Sequence, residues 1–223
     1  MTAEPIEAIV FDFDGLILET EGPAFESWAA IYREHGHELP VEQWHLSIGT
    51  DRGFEPVDYL AALVGEGLDR SATQKRRDTR KDELIAALEV MAGVREYIED
   101  ARRLHLRLGI ASSASRRWVL GHLERLGLHA QWHAVLTRDD VERSKPSPDL
   151  YVAAAKALDV APSRAVALED SPHGIAAAKD AGMRCVAVPN ALTRDLDLSR
   201  ADLRLSSLAE MPLERLLAIL SER

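Results

Sequence analysis

Ile6-Glu7-Ala8-Ile9-Val10-Phe11-Asp12-Phe13-Asp14-Gly15 is the stretch that decides the fold. A run of Ile, Val and Phe is how a strand covered on both faces reads, so residues 6 to 11 predict a central parallel strand whose carboxyl end delivers Asp12. Ligands of open α/β sheets bind at that end. Successive strand side chains point to opposite faces, so Asp12 and Asp14 share a side if the backbone stays extended, and Gly15 allows a sharp turn. Two carboxylates at close range raise one another's proton affinity. One can then act as an anionic nucleophile while the other keeps a proton for a leaving group. A divalent cation would stabilise such a pair. An isolated Asp-x-Asp also marks ordinary surface turns, so the rest of the chain must decide.

Beyond residue 91 strand-like and helix-like segments alternate, as a doubly wound α/β sheet requires. Leu106 to Ala111 predicts a strand, followed by a helix from about Arg116 to Leu126 that Gly127 can end. Ala134 to Thr137 is a short strand, and Ser147-Pro148 is an N-cap and first-turn pair for a helix through Leu158. Arg164 to Leu168 is the next strand. Ser171-Pro172 repeats the helix start, Gly182 stands at the other end, and Arg184 to Val188 completes the unit. Residues 19 to 88 break the alternation with helical periodicity alone. Phe25, Trp28, Ala29 and Tyr32 share one helical face, as do Val57, Leu60, Ala61, Val64 and Leu68. The expected organisation is an α/β core of residues 1–18 and 89–223, a Rossmann-like doubly wound parallel sheet, with an inserted α-helical cap of residues 19–88. The cap would stand over the carboxyl edge of the sheet and close on a substrate.

A length of 223 residues with 46% hydrophobic content suits one large domain with an insertion. The net charge of -10 opposes non-specific attraction to nucleic acid or anionic membranes. Cys185 is the only cysteine, which excludes a disulfide within the chain and argues against a metal-thiolate cluster. With no basic-then-apolar amino-terminal segment and no apolar run near the ~20 residues of a membrane helix, a cytoplasmic location is expected.

Three further clusters fall where this architecture brings chain segments to the same edge. Ser112-Ser113 offers hydroxyls and backbone N–H groups ahead of a helix, a suitable cradle for anionic oxygens. Ser144-Lys145-Pro146-Ser147-Pro148 holds a lysine ahead of two prolines that restrict the backbone. Glu169-Asp170 follows an apolar strand, where oxygen ligands could hold a metal or simply begin a helix.

Together these pieces resemble the haloacid dehalogenase superfamily of phosphotransferases over nearly the whole chain. Asp12-Phe13-Asp14-Gly15 matches the nucleophile motif, Ser112 the second motif, Lys145 the third and Glu169-Asp170 the fourth. The insertion is similar to the helical cap of the subgroup containing β-phosphoglucomutase and phosphoglycolate-type phosphatases. The resemblance implies that Asp12 attacks phosphorus and that Asp14 is acid and then base. It further implies that Mg²⁺ is held by Asp12, the backbone carbonyl of Asp14, Asp170 and, directly or through water, Glu169. Ser112, the amide of Ser113 and Lys145 would neutralise the phosphoryl oxygens.

Asp14 disfavours dehalogenation, since a departing halide needs no proton. A phosphonatase would need a cap lysine, and Lys75 and Lys81 read instead as solvated helix surface. Gly49-Thr50-Asp51-Arg52 resembles the mutase cap loop, in which an arginine binds a distal phosphate, so Arg52 is a candidate substrate-binding residue. Mutases also carry a histidine in the first cap helix, where this chain has Ala24. The expectation is therefore Mg²⁺-dependent hydrolysis of a small phosphorylated metabolite such as a sugar or polyol phosphate, by a monomer or weak homodimer with no nucleic-acid or membrane partner. A β-phosphoglucomutase-like mutase is the second reading, and a non-catalytic phospho-ligand or partner-binding protein the third. His173, just beyond the acidic pair, could approach the site, and the first turn of a helix explains it equally well; Trp28 and Trp44 are explained by packing within the cap.

Overall fold

The computed structural model describes residues 5–50 and 53–222. β1 (Ala8–Phe11) is followed by five helices, α1 (Glu21–Glu34), α2 (Val41–His45), α3 (Pro56–Val64), α4 (Arg70–Ala86) and α5 (Val94–Arg103). Then come β2 (Arg107–Ala111), α6 (Arg116–Arg125), β3 (Ala134–Leu136), α7 (Asp149–Leu158), β4 (Ala165–Glu169), α8 (Pro172–Asp180), β5 (Arg184–Ala187), β6 (Leu203–Arg204) and α9 (Leu213–Ser221).

All six strands are parallel, in the order β3-β2-β1-β4-β5-β6. The chain builds outward from β1 through β2 and β3, then returns to lay β4 on the other side of β1. The reversal makes the crevice between the carboxyl ends of β1 and β4 the place where a ligand meets an open sheet. Phe11 lies opposite Leu168, so Asp12 and Glu169 leave the adjacent strands at one level.

Strand alternation sorts the core into two layers. Ile9, Phe11, Leu108, Ile110, Val166 and Leu168 join Tyr97, Val119 and Leu216 from α5, α6 and α9. The intervening Ala8, Val10, Ala167 and Cys185 are small and meet α7 and α8. A side chain at Gly109 of β2 would stand 3.0 Å from Leu158 Cδ1, so α7 packs close to the sheet.

Among the described residues, 21–86 contribute helices and no strand, with their own cluster of Trp28, Ile31, Tyr32, Leu39, Trp44, Ile48 and Leu60. Tyr32 is buried and donates to the Pro56 carbonyl at 2.7 Å, tying α1 to α3. Among the described residues no helix is long and apolar enough to cross a membrane.

Three local readings are corrected. β1 starts at Ala8, and Ile6 is a half-buried residue beside the core. α3 ends at Val64 because Gly65 turns the chain at φ 85°, so Leu68 reaches the cap cluster from the next turn and not from the same helix. α7 starts at Asp149 with Pro148 at its N-cap; Ser147 Oγ donates to the Asp149 carboxylate at 2.7 Å instead of capping the helix.

Candidate active site

Asp12, Lys145, Glu169 and Asp170 meet at the crevice between β1 and β4, and all four are buried. Lys145 Nζ donates to Asp12 Oδ1 at 2.7 Å and to Glu169 Oε1 at 2.6 Å. Tyr151, on α7, donates its hydroxyl to the same Glu169 oxygen at 2.5 Å. Glu169 Oε2 accepts from the Asp170 N–H and from the Ser171 hydroxyl. Gly174, in the first turn of α8, lies so close that a Cβ there would be 2.0 Å from the Glu169 carboxylate. Ser171 caps that helix by accepting from the Gly174 N–H, with Pro172 in its first turn, as the sequence predicts.

Gly15 turns the chain at φ +80°, where L side chains are strained, and a Cβ would sit 2.3 Å from Asp170 Oδ2. The turn holds Asp14 away from the Lys145 cluster. Asp14 Oδ1 accepts from Thr20 Oγ1 at 2.7 Å and from Trp118 Nε1 at 2.9 Å. It faces a cavity of about 300 Å³, also lined by Glu21, Arg77, Lys81 and Trp118.

The cap meets the core along a seam at 48–50. Ser113 Oγ donates to the Gly49 carbonyl at 3.2 Å, and Thr50 Oγ1 to the Lys145 carbonyl at 2.7 Å. His173 Nδ1 donates to the Ile48 carbonyl at 2.9 Å, so this histidine does more than occupy a helix turn. Ser112 is buried, and its Oγ accepts from the Ala114 N–H at 3.0 Å. Arg52 lies outside the described residues.

A family model for haloacid dehalogenase-like hydrolases matches residues 9–188. The chain belongs to this family. It is 44% identical over 212 residues to YhcW of Bacillus subtilis (strain 168), spanning 95% of this chain and 96% of that one. It is 33% identical over 205 residues to validoxylamine A 7'-phosphate phosphatase of Streptomyces hygroscopicus subsp. limoneus, spanning 91% and 94%. The crystal structure of CbbY from Rhodobacter sphaeroides in complex with phosphate superposes with a TM-score of 0.74 at 32% identity, over 92% of this chain and 96% of that one.

In this haloacid dehalogenase-like hydrolase the electrostatics follow from burial. Desolvation and the nearby Glu169 charge push Asp12 up to about 7, against the pull of Lys145. Burial alone would weaken Lys145 as a base. The charges of Asp12 and Glu169 outweigh burial and keep the ammonium above its ordinary value. Burial, then Asp12 and Glu169, push Asp170 well up.

One oxygen each from Asp12, Glu169 and Asp170 lies within 4.8 Å of the others. Asp170 Oδ1 is buried with no hydrogen-bond partner, while Oδ2 accepts from Asn190 Nδ2 at 2.7 Å. Oxygen donors with one buried lone pair unused fit a hard divalent cation. Glu169 is the most heavily engaged of the three acids.

Several residues at the site escape sequence reading. Tyr151 lies in the apolar pattern of α7 and passes for core. Asn190 lies three residues beyond β5, after Val188 and Pro189, so it does not stand at the strand end as Asp12 does after β1. Lys81 is not solvated helix surface: its Nζ lies 4.2 Å from the Trp118 ring centroid. Burial, with the neighbouring Arg77 charge, weakens its hold on the proton. The four-residue spacing of Arg77 and Lys81 places them on one helical face, a signal available in the sequence.

Proposed function

We propose that this enzyme is a phosphoric monoester hydrolase acting on a small phosphorylated sugar- or polyol-like metabolite through an aspartyl-phosphate intermediate. The observation that carries the reading is the buried Asp12–Lys145–Glu169 chain with Asp14 held apart on the opposite side of the Gly15 turn. An Asp12 oxygen attacks phosphorus and the ester P–O bond breaks. A proton from Asp14 goes to the departing alkoxide, which leaves as the alcohol. Water then gives a proton to Asp14 and attacks the aspartyl phosphate, releasing inorganic phosphate and restoring Asp12. Lys145, Ser112 and the Ser113 amide balance charge on the phosphoryl oxygens, the main catalytic demand of phosphoryl transfer. Asp12, Asp170 and the backbone carbonyl of Asp14, with Glu169 in support, would hold Mg²⁺, which when bound supplies further charge neutralisation at the phosphoryl group.

The relatives support this reading. One is the validoxylamine A 7'-phosphate phosphatase, and another is named a phosphorylated carbohydrates phosphatase, from Thermotoga maritima, 27% identical over 218 residues. Hydrolysis is preferred to mutase chemistry because Ala24, which lines the cavity beside Asp14, has no group to carry a proton. A buried, unpaired Cys185 accords with a cytoplasmic setting. The core of 1–18 and 89–223 with a cap of 19–88 is the organisation this mechanism uses, the seam at 48–50 closing one over the other.

The test is phosphate release by purified protein, with and without Mg²⁺, from sugar phosphates, polyol phosphates, phosphoglycolate and p-nitrophenyl phosphate. Metal-dependent release from sugar or polyol esters is expected. Undiminished activity in chelator overturns the metal assignment, and interconversion of sugar phosphates without release overturns hydrolysis.

A further inference from the structure

Asp14 is gripped at one oxygen only. Thr20 Oγ1 and Trp118 Nε1 both donate to its Oδ1, at 2.7 and 2.9 Å, and no hydrogen bond among the described residues reaches its Oδ2. The two donors are not equivalent. A hydroxyl can turn and accept, whereas an indole N–H only donates, so the oxygen facing Trp118 is fixed as an acceptor. This chain does not pair its indoles as a matter of course: Trp44 and Trp132 keep Nε1 buried without a hydrogen-bond partner, while the half-buried Trp118 spends its N–H on Asp14.

Trp118 is brought there by local features and held by distant ones. β2 pairs with β1, so α6, which follows β2, starts at the same edge of the sheet as Asp14. Ser115 caps α6 by accepting from the Trp118 backbone N–H at 3.4 Å, which puts Trp118 in the first turn. The indole is then fixed from two directions. His122, one turn further along α6, meets it with ring centroids 4.3 Å apart and planes at 73°, and Lys81 Nζ of α4 lies over the ring at 4.2 Å. One core residue and one cap residue thus hold the same donor. Asp14 and Trp118 both line the cavity, so Oδ2 is the oxygen left for a substrate.

We infer that Trp118 is a positioning residue for the acid–base step. Its N–H holds Oδ1 as an acceptor, so the acid proton of Asp14 sits on Oδ2. That proton passes to the ester oxygen as the P–O bond breaks, leaving Asp14 as the carboxylate, and the attacking water later returns a proton to the same oxygen. Without the indole N–H the proton can occupy either oxygen and the carboxyl group can turn. Proton transfer then loses its alignment while Asp12, the nucleophile, is untouched. The inference rests on the phosphatase reading, in which Asp14 protonates the departing alcohol.

The test compares kcat/KM for phenyl phosphate and p-nitrophenyl phosphate, esters of similar shape whose leaving groups differ in their need for a proton. This constant covers the steps up to departure of the first product, so hydrolysis of the aspartyl phosphate does not enter it. Trp118→Phe removes the N–H and keeps an aromatic ring for Lys81 and His122. In this variant the ratio of kcat/KM for p-nitrophenyl phosphate to that for phenyl phosphate should rise roughly tenfold over the parent, the scale of one hydrogen bond to a charged group. Added to Asp14→Asn, the same substitution should leave the ratio where Asp14→Asn alone puts it, because Trp118 acts through Asp14. An unchanged ratio in Trp118→Phe, whether activity on the two esters holds or falls together, overturns the positioning role and leaves the phosphatase reading standing. A further tenfold rise in the double variant also overturns it, since Trp118 would then act by another route. No release from either ester by the parent overturns the phosphatase reading and the positioning role with it.

Discussion

The strand ends of the sheet and the inner wall of α4 both bring charge to the surroundings of Asp14, but only at the strand ends does a buried cation meet carboxylates at close hydrogen-bond distance. Lys145 sits between Asp12 and Glu169 with both contacts at 2.7 Å or less, Tyr151 donates to the same Glu169 oxygen and Ser171 to the other. On α4, Arg77 and Lys81 rest on indole rings and lack such partners. The strand ends supply what any phosphoryl transfer needs. The α4 wall meets the chemistry through a ring, the indole of Trp118 that lies under Lys81 and donates to Asp14.

The largest effect that would break this comparison lies at the strand ends. Asp12→Asn should lower phosphate release by roughly 10⁴-fold or more, since the nucleophile is lost. Its melting temperature should stay near that of the parent, because Lys145 keeps Glu169 as a counter-charge. Appreciable phosphate release by this variant would remove Asp12 from the role of nucleophile. Asp14→Asn should lower turnover of alkyl phosphates by about 10²- to 10⁴-fold, the usual range for an acid–base group. The loss on p-nitrophenyl phosphate should be smaller, as that leaving group departs without a proton. Equal losses on both substrates would mean that Asp14 protonates nothing.

Stability separates the two regions directly. Lys145→Met leaves Asp12 and Glu169 buried without their cation, and should cost roughly 3–5 kcal/mol in denaturant unfolding. Lys81→Met, by the comparison, should stay within about 1 kcal/mol of the parent, since no ion pair is broken. Similar losses in both variants would show that the α4 wall is part of a closed network after all.

The strand ends were legible because their chemistry is local in sequence. An apolar run ending in Asp12, and another ending in Glu169-Asp170, each announce a strand and its active end within ten residues. Asn190, three residues past β5, lies outside that rule, and its contact with Asp170 is seen only in the fold. On α4 the spacing of Arg77 and Lys81 shows a shared face but not which way it points, because Lys81 lies in Arg80-Lys81-Asp82-Glu83, a pattern shared by any solvated helix surface. What turns it inward is the packing of α4 against α1 and the approach of Trp118 from the core, both long-range events. The partner of His173, the Ile48 carbonyl, was hidden for the same reason, since it lies 125 residues away.

Glu21 sharpens the comparison at the smallest scale. Burial, and then the charges of Asp14 and Asp12, raise its carboxyl from 4.5 to about 8. Below about 4.5 the folded and unfolded chains both hold this proton; between about 4.5 and 8 only the folded chain does, so stability falls as pH rises and levels off above 8. Glu21→Gln keeps the shape and removes the titration. Its stability relative to the parent should therefore improve by on the order of 1–2 kcal/mol between about pH 5 and about pH 8.5, measured by urea unfolding. Glu21 acts on Asp170 and is acted on by Asp12, so the difference reports Glu21 together with its effect on those neighbours. An advantage that is the same at both pH values would make Glu21 an ordinary surface acid, ionised at neutral pH and not held by burial beside Asp14.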